Sequence, residues 1–249
     1  MKKILVPSLL ALALGSVSGL AQAQAAAPES TLSFNAGVVS DYRYRGISQS
    51  RLQPAVQGGI DYADKSGFYV GAWGSSIKWI KDSTATAGSV EIDLYGGYKG
   101  AVGDVAYDVG FLRYEYAGNK LGAVEGFANA NTTEAYGAVT YGLFTAKYSQ
   151  SLTNTFGNIN SKNSYYLDLS ATVDLGNGLT LVPHVGRQMI NNSPAYSYND
   201  YSLTLTKDLG NGLSASAMAV GTNAGKSQYT LVDKFNGKDG LVVGLKYAF

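Results

Sequence analysis

The chain's chemistry rests on few residues. It holds one histidine, His184, beside Pro183, and no cysteine. Thiolate nucleophiles, disulfides and thiolate metal sites are therefore excluded, and one imidazole gives a transition-metal site little support. A lipid-modifying Ser-His pair would need a histidine near a lipid-facing surface with an activated serine in reach. His184 falls on the opposite, polar side of its segment, and no Gly-x-Ser-x-Gly elbow accompanies it. The polar stretch Asn154–Asn160 lacks calcium-loop spacing. The expectation is a protein that is not an enzyme, with no cofactor and no metal.

The remaining candidates are charged residues at alternate positions: Asp41, Arg43 and Arg45; Glu91 and Asp93; then Lys147, Asp168 and His184. Charges of both signs lining one interior can hydrate a pore and set its ion preference. In one reading Arg43 and Arg45 face Glu91 and Asp93 across that pore and orient polar solutes. In the other, the same groups neutralise each other as ion pairs, because an unpaired interior charge is costly. Lys147 and Asp168, at similar height on neighbouring segments, are expected to form a structural pair.

Placing such residues on one face requires strands. Segments such as Leu32–Val38, with apolar residues at every second position, recur along the chain, and each is about ten residues long, enough for a tilted strand to cross hydrocarbon. In the eighth, Tyr165, Leu167, Leu169, Ala171 and Val173 oppose Tyr166, Asp168, Ser170, Thr172 and Asp174. The connectors alternate too. Short turns at Asp64–Gly67, Gly100–Asp104, Gly142, Gly176–Gly178 and Gly210–Gly212 interleave with long polar stretches at Gly46–Gln53, Lys78–Gly88, Ala117–Asn131, Leu152–Asn163, Met189–Tyr196 and Asn223–Asp239. The phrase Asp-Leu-Gly-Asn-Gly-Leu occurs at 174–179 and again at 208–213. This pattern predicts an all-β, antiparallel transmembrane barrel of about 12 strands with short periplasmic turns and longer extracellular loops. Arg43 and Arg45 are expected on its first strand, with Tyr42, Tyr44, Tyr98, Tyr107, Tyr141, Tyr165 and Tyr201 in aromatic girdles at the membrane boundaries.

The ends of the chain agree with export. Met1-Lys2-Lys3, the apolar run Ile4–Leu14 and the small residues of Ala21-Gln22-Ala23 and Ala23-Gln24-Ala25 read as a signal peptide over residues 1–25, cleaved after about residue 23 or 25, leaving 26–249 as the barrel. Losing Lys2 and Lys3 takes 19 basic residues to 17 against 18 acidic, a mature charge of about −1, which disfavours nucleic acid as a partner. At the other end Leu241, Val243, Leu245, Tyr247 and Phe249 alternate up to the last residue. They resemble the signal read by the outer-membrane barrel assembly machinery.

Ser40-Asp41-Tyr42-Arg43-Tyr44-Arg45-Gly46-Ile47-Ser48-Gln49-Ser50, followed by Pro54-Ala55-Val56-Gln57-Gly58-Gly59, resembles the opening of the TorF family of outer-membrane porins. Gly67–Trp73, Tyr107–Gly110 and Ala146–Ser149 are similar to later stretches of that family. The resemblance implies a Gram-negative outer-membrane barrel and a channel, and supplies no substrate or catalytic residue. The expected function is passive diffusion of ions or small polar solutes through a charged lumen. A substrate-specific uptake barrel, or a structural or adhesive barrel acting through its loops, are the alternatives. Expected partners are outer-membrane lipid, the assembly machinery and small polar solutes or ions. Permeant solute, openness of the lumen and oligomeric state are not written in the sequence.

Overall fold

The computed structural model describes residues 30–84 and 87–249. The signal peptide expected over residues 1–25 lies outside the described residues. The barrel strands are β1 (Thr31–Val39), β2 (Ala55–Ala63), β3 (Phe68–Ser76), β4 (Val90–Val102), β5 (Val105–Tyr116), β6 (Thr132–Tyr141), β7 (Phe144–Ser151), β8 (in two pieces, Tyr165–Ala171 and Val173–Gly176), β9 (Leu179–Met189), β10 (Tyr198–Gly210), β11 (Leu213–Thr222) and β12 (Gly240–Ala248). Each pairs antiparallel with its sequence neighbours, and β12 returns to β1, so the 12 strands close with no free edge. Closure leaves every strand a hydrogen-bonding partner on both sides, which a sheet in hydrocarbon requires. The closing seam pairs Asn35–Val39 with Gly244–Ala248, and Phe34 exchanges both backbone hydrogen bonds with Phe249 at 2.8 and 3.0 Å.

The burial pattern is that of a soluble protein turned inside out. Val56, Val70, Leu94, Phe111, Leu203 and Leu241 are exposed on the outside, while Glu91, Asp93, Glu134, Asp168 and Asp200 are buried within. An exposed apolar belt of this extent is the outer surface that transmembrane barrels present. Aromatic rings mark its lower rim: Phe34 stacks on Phe249, Phe249 on Tyr247, and Phe68 packs edge-on against Tyr98. Tyr148 and Tyr165 stack at the opposite rim.

The five short turns lie on one side with both ends of the barrel, and their chemistry is local. In each Asp-Leu-Gly-Asn-Gly-Leu turn the Gly-Asn-Gly residues all take positive φ, at 79°, 52° and 73° for Gly176, Asn177 and Gly178, as a tight two-residue hairpin demands. The aspartate before each accepts from the first glycine's N–H, Asp174 from Gly176 and Asp208 from Gly210, both at 2.8 Å. In the turn after β2 the Ser66 hydroxyl and N–H, helped by the Ser30 hydroxyl, hold the Asp64 carboxyl down at about 2.

Glycine and tyrosine, abundant at 31 and 19 residues, are coupled across strands. Tyr69 lies opposite Gly97, Tyr95 opposite Gly71 and Tyr136 opposite Gly110, each ring lying over the partner's missing side chain. A glycine in a strand is weak alone, and a cross-strand ring covering it restores packing. The rings are also hydrogen-bonded: Tyr69 to Tyr136 and to Asp108, and Tyr95 to Asp61 at 2.5 Å. They occupy the lumen beside β3–β6.

Two expectations are corrected here. The first strand ends at Val39, so Asp41, Arg43 and Arg45 are not on it. Tyr42 and Tyr44 belong to no girdle: Tyr42 is buried inside the barrel against Trp73, and Tyr44 packs on Tyr114 and Phe156. Both follow from one event, the inward fold of the segment after Ser40.

Candidate functional site

After Ser40 the chain makes a small hairpin instead of continuing the wall. Arg43 and Tyr44 pair with Ser48 and Ile47, and the turn between them sets Arg45 at φ 47° and Gly46 at φ 79°. Positive φ at both central residues is the tight-hairpin conformation, uncommon for arginine, and it is held here by side-chain contacts. Asp41 gathers the base, accepting from Arg43 Nε at 2.5 Å, Ser48 Oγ at 2.5 Å and Ser50 Oγ at 3.0 Å. These three donors turn the chain inward at the point where alternation alone would extend the strand.

The hairpin is latched at both ends. Arg43 Nη1 donates to the carbonyls of Gly46, Asn236 and Lys238, tying it to the loop before β12. Arg45 crosses the mouth to the far wall, where its two terminal nitrogens meet Glu134 of β6 at 3.1 and 2.6 Å and one also meets Gln188 of β9 at 2.6 Å. Its guanidinium lies over Tyr166 at 4.3 Å and Tyr44 at 4.8 Å from the ring centres. A planar fork paired bidentately and stacked on aromatic rings is a role lysine cannot fill.

The expected opposition of Arg43 and Arg45 to Glu91 and Asp93 does not occur. Arg43 pairs with Asp41 and Arg45 with Glu134. Glu91 accepts from the Tyr42 hydroxyl at 3.0 Å, and both oxygens of Asp93 are buried without a hydrogen-bond partner. A carboxylate costs more to bury unpaired than its amide isostere. Asp93→Asn is therefore expected to leave the urea unfolding midpoint of the refolded barrel unchanged, or to raise stability by up to about 1 kcal/mol. A loss above about 2 kcal/mol would show that the charge itself is held by a partner.

Lys147 and Asp168 are register partners, as expected, but their side chains part. Lys147 Nζ sits 4.1 Å from the centre of the Tyr136 ring, and Asp168 turns to His184, with Oδ2 3.3 Å from Nε2. The other imidazole nitrogen faces Asp200 Oδ1 at 3.6 Å, and the Tyr166 hydroxyl lies within 3.1 Å of both Asp200 oxygens and of His184. The two carboxylates stand on opposite edges of the ring, so the three groups do not converge on one point. His184 lies on the lumen side, as its alternation predicted. Asp200 and Gln188 were missed as site residues, although alternation puts each on an inward face, Asp200 on that of Ser202 and Thr204 and Gln188 on that of His184.

The hairpin separates two cavities that share no lining residue. Beneath it, along β9–β12, lies one of about 150 Å³ lined by Arg43, Arg45, His184, Asp200, Thr204 and Ser216 among others. Above it lies one of about 300 Å³ enclosed by the loops. The hairpin faces Asp41, Tyr42, Arg43, Arg45 and Gly46 downward and Tyr44, Ile47, Ser48 and Gln49 upward.

A closed, even-stranded antiparallel barrel with an apolar exterior, a charged interior and a loop folded across its mouth has the fold of outer-membrane porins. Solved porins bear this out. The KdgM porin superposes with a TM-score of 0.54 at 9% identity, covering 88% of this chain and 99% of that one. The KdgM porin in complex with disordered oligogalacturonate and the NanC porin give the same TM-score, identity and coverage. The chain belongs to Gcw_chp, a family described as bacterial protein of unknown function, whose model matches residues 22–249. No curated protein matches it in sequence.

Proposed function

We propose that this protein is a channel in the outer membrane of a Gram-negative bacterium, allowing passive diffusion of ions or small polar solutes, with the hairpin at residues 41–50 as its constriction. The observation that carries the reading is the internal cavity of about 150 Å³, where charged and hydroxyl side chains stand among Val39, Val182, Met218, Val220 and Val242 under a hairpin anchored through Arg45. Polar side chains facing a cavity inside an apolar-coated barrel make a path for hydrated solutes and for little else. The TorF resemblance points the same way.

Selectivity follows from what lines the path. Arg43 and Arg45 are each committed to a carboxylate, and the one imidazole of His184 is shared between Asp168 and Asp200. Two carboxylates on one imidazole leave an excess of negative charge beside the cavity, which favours cations over anions. A polyanion such as the oligogalacturonate bound by the KdgM porin is a poor fit to this lumen. Purified protein in a planar bilayer is expected to give small, reproducible single-channel steps with a cation-selective reversal potential in a salt gradient. A membrane that stays silent across repeated insertions of folded barrel refutes the channel, and an anion-selective trace refutes the account of its lumen.

A further inference from the structure

The upper cavity differs in kind from the lumen. It holds about 300 Å³ between the external loops, and no charged side chain lines it among the described residues. That volume is near the lower end for small-molecule sites, at roughly 300–1,000 Å³. Aromatic rings form its walls: Trp79 with Tyr116 on one side, and Tyr196, Tyr198 and Tyr229 on the other.

Two buried polar atoms in this wall have no hydrogen-bond partner, the donor Trp79 Nε1 and the acceptor Asn236 Oδ1. Asn236 is only 2% exposed, and its backbone is fully engaged, its N–H donating to Tyr229 and its carbonyl accepting from the Ser48 N–H and from Arg43. Its backbone is thus fixed, and its side-chain oxygen is unmet. Leaving such atoms unpaired costs about 1–3 kcal/mol each, and folded proteins carry few of them without a reason.

The rings also constrain the ligand's shape. Trp79 and Tyr116 meet at 84°, Tyr198 and Tyr229 at 78°, and Tyr196 and Tyr229 at 70°. Each pair is in edge-to-face contact, so no flat ring slots between its members. Aromatic side chains with an unmet donor and an unmet acceptor beside them suit a puckered ring with C–H groups on its faces and hydroxyls on its rim. A charged ligand would leave water for a wall with no counter-charge, at high cost.

We propose that this vestibule binds a neutral saccharide of mono- to disaccharide size, with the aromatic faces against the sugar's C–H groups, Trp79 Nε1 donating to a sugar oxygen and Asn236 Oδ1 accepting from a sugar hydroxyl. The site does not depend on conduction. Binding without channel activity would leave it standing, and conduction without binding would remove it alone.

The sequence holds only two tryptophans, so Trp73→Phe leaves Trp79 as the sole reporter. The folded barrel in detergent micelles is titrated with maltose, cellobiose and sucrose, with digalacturonate as the acidic probe and uridine as the planar one. Saturable change in Trp79 emission is expected with at least one neutral disaccharide and not with the other two probes. Calorimetry on the otherwise unmodified chain, which also serves if Trp73→Phe folds poorly, is expected to show affinity about ten-fold weaker in Asn236→Ala and in Trp79→Phe. The Asn236 variant keeps every backbone contact of the loop, so it remains informative if the tryptophan variant does not fold. No saturation with any of the three sugars, tighter binding of digalacturonate or uridine, or unchanged affinity in both variants would overturn the proposal.

Discussion

Arg45→Ala is expected to enlarge single-channel conductance and to destabilise the barrel at the same time. The variant deletes the far anchor of the hairpin, removing the Glu134 pair, the Gln188 contact and the rings of Tyr166 and Tyr44 from the guanidinium's reach. Glu134, 2% exposed, is left as a buried carboxylate whose remaining partner is the Tyr114 hydroxyl at 3.2 Å. Removing one member of a buried pair in this way costs about 3–5 kcal/mol, read from the urea unfolding curve. Stability and conductance can be separated. Arg45→Met combined with Glu134→Leu removes both charges, and replacing a buried pair by apolar groups of similar volume is often neutral. That double variant is expected to recover most of the stability while keeping the raised conductance, because the hairpin still lacks its electrostatic latch. Arg45→Lys keeps the charge without the fork and should fall between. Lost stability with unchanged conductance in Arg45→Ala would show that the hairpin is not the constriction.

Gly97→Ala is expected to be the most damaging of the conservative lumen changes. Its added methyl would collide with the Val109 carbonyl oxygen, lie 2.9 Å from the Gly110 Cα and meet the Tyr69 hydroxyl at 2.7 Å. Two of these three are backbone on the adjacent strand, so the pairing itself must move, and Tyr69 must leave Asp108 and Tyr136. Overpacking of this kind costs about 1–3 kcal/mol. Gly71→Ala supplies the contrast, since its methyl meets only side chains, Tyr95 at 2.5 Å and Asp61 at 2.7 Å. Tyr95→Ala should therefore relieve much of the Gly71→Ala penalty, giving a coupling of roughly 1 kcal/mol in a double-mutant cycle. Tyr69→Ala should relieve little of the Gly97→Ala penalty. Equal rescue in both pairs would mean that the rings, not the strand pairing, set the cost.

The site was legible to different depths. Glu91, Asp93, Lys147, Asp168 and His184 were correctly placed on the inner face because each lies within a regular strand, where side chains alternate without exception. Asp200 announces its side by the same rule. Tyr42 and Tyr44 misled because tyrosine near a strand end fits a girdle and a plug equally well. Arg43 and Arg45 misled because alternation continues through them, and the inward fold depends on Asp41 capturing Arg43, Ser48 and Ser50.

What the sequence determined by itself is the wall: an antiparallel barrel of about 12 strands, which face of each is apolar and points outward, and the side on which the short turns lie. These depend on period-two patterning and on turn residues such as Gly-Asn-Gly, which act within a few positions along the chain. The partners of each charge were decided only by the tertiary structure. Arg45 finds Glu134 at 89 positions' distance and Gln188 at 143, and Arg43 reaches the carbonyl of Lys238 across 195. Inside a ring of 12 strands many inward charges lie within reach of one another, so local pattern fixes that a charge points inward, and the packing of the hairpin across the mouth selects which one it meets.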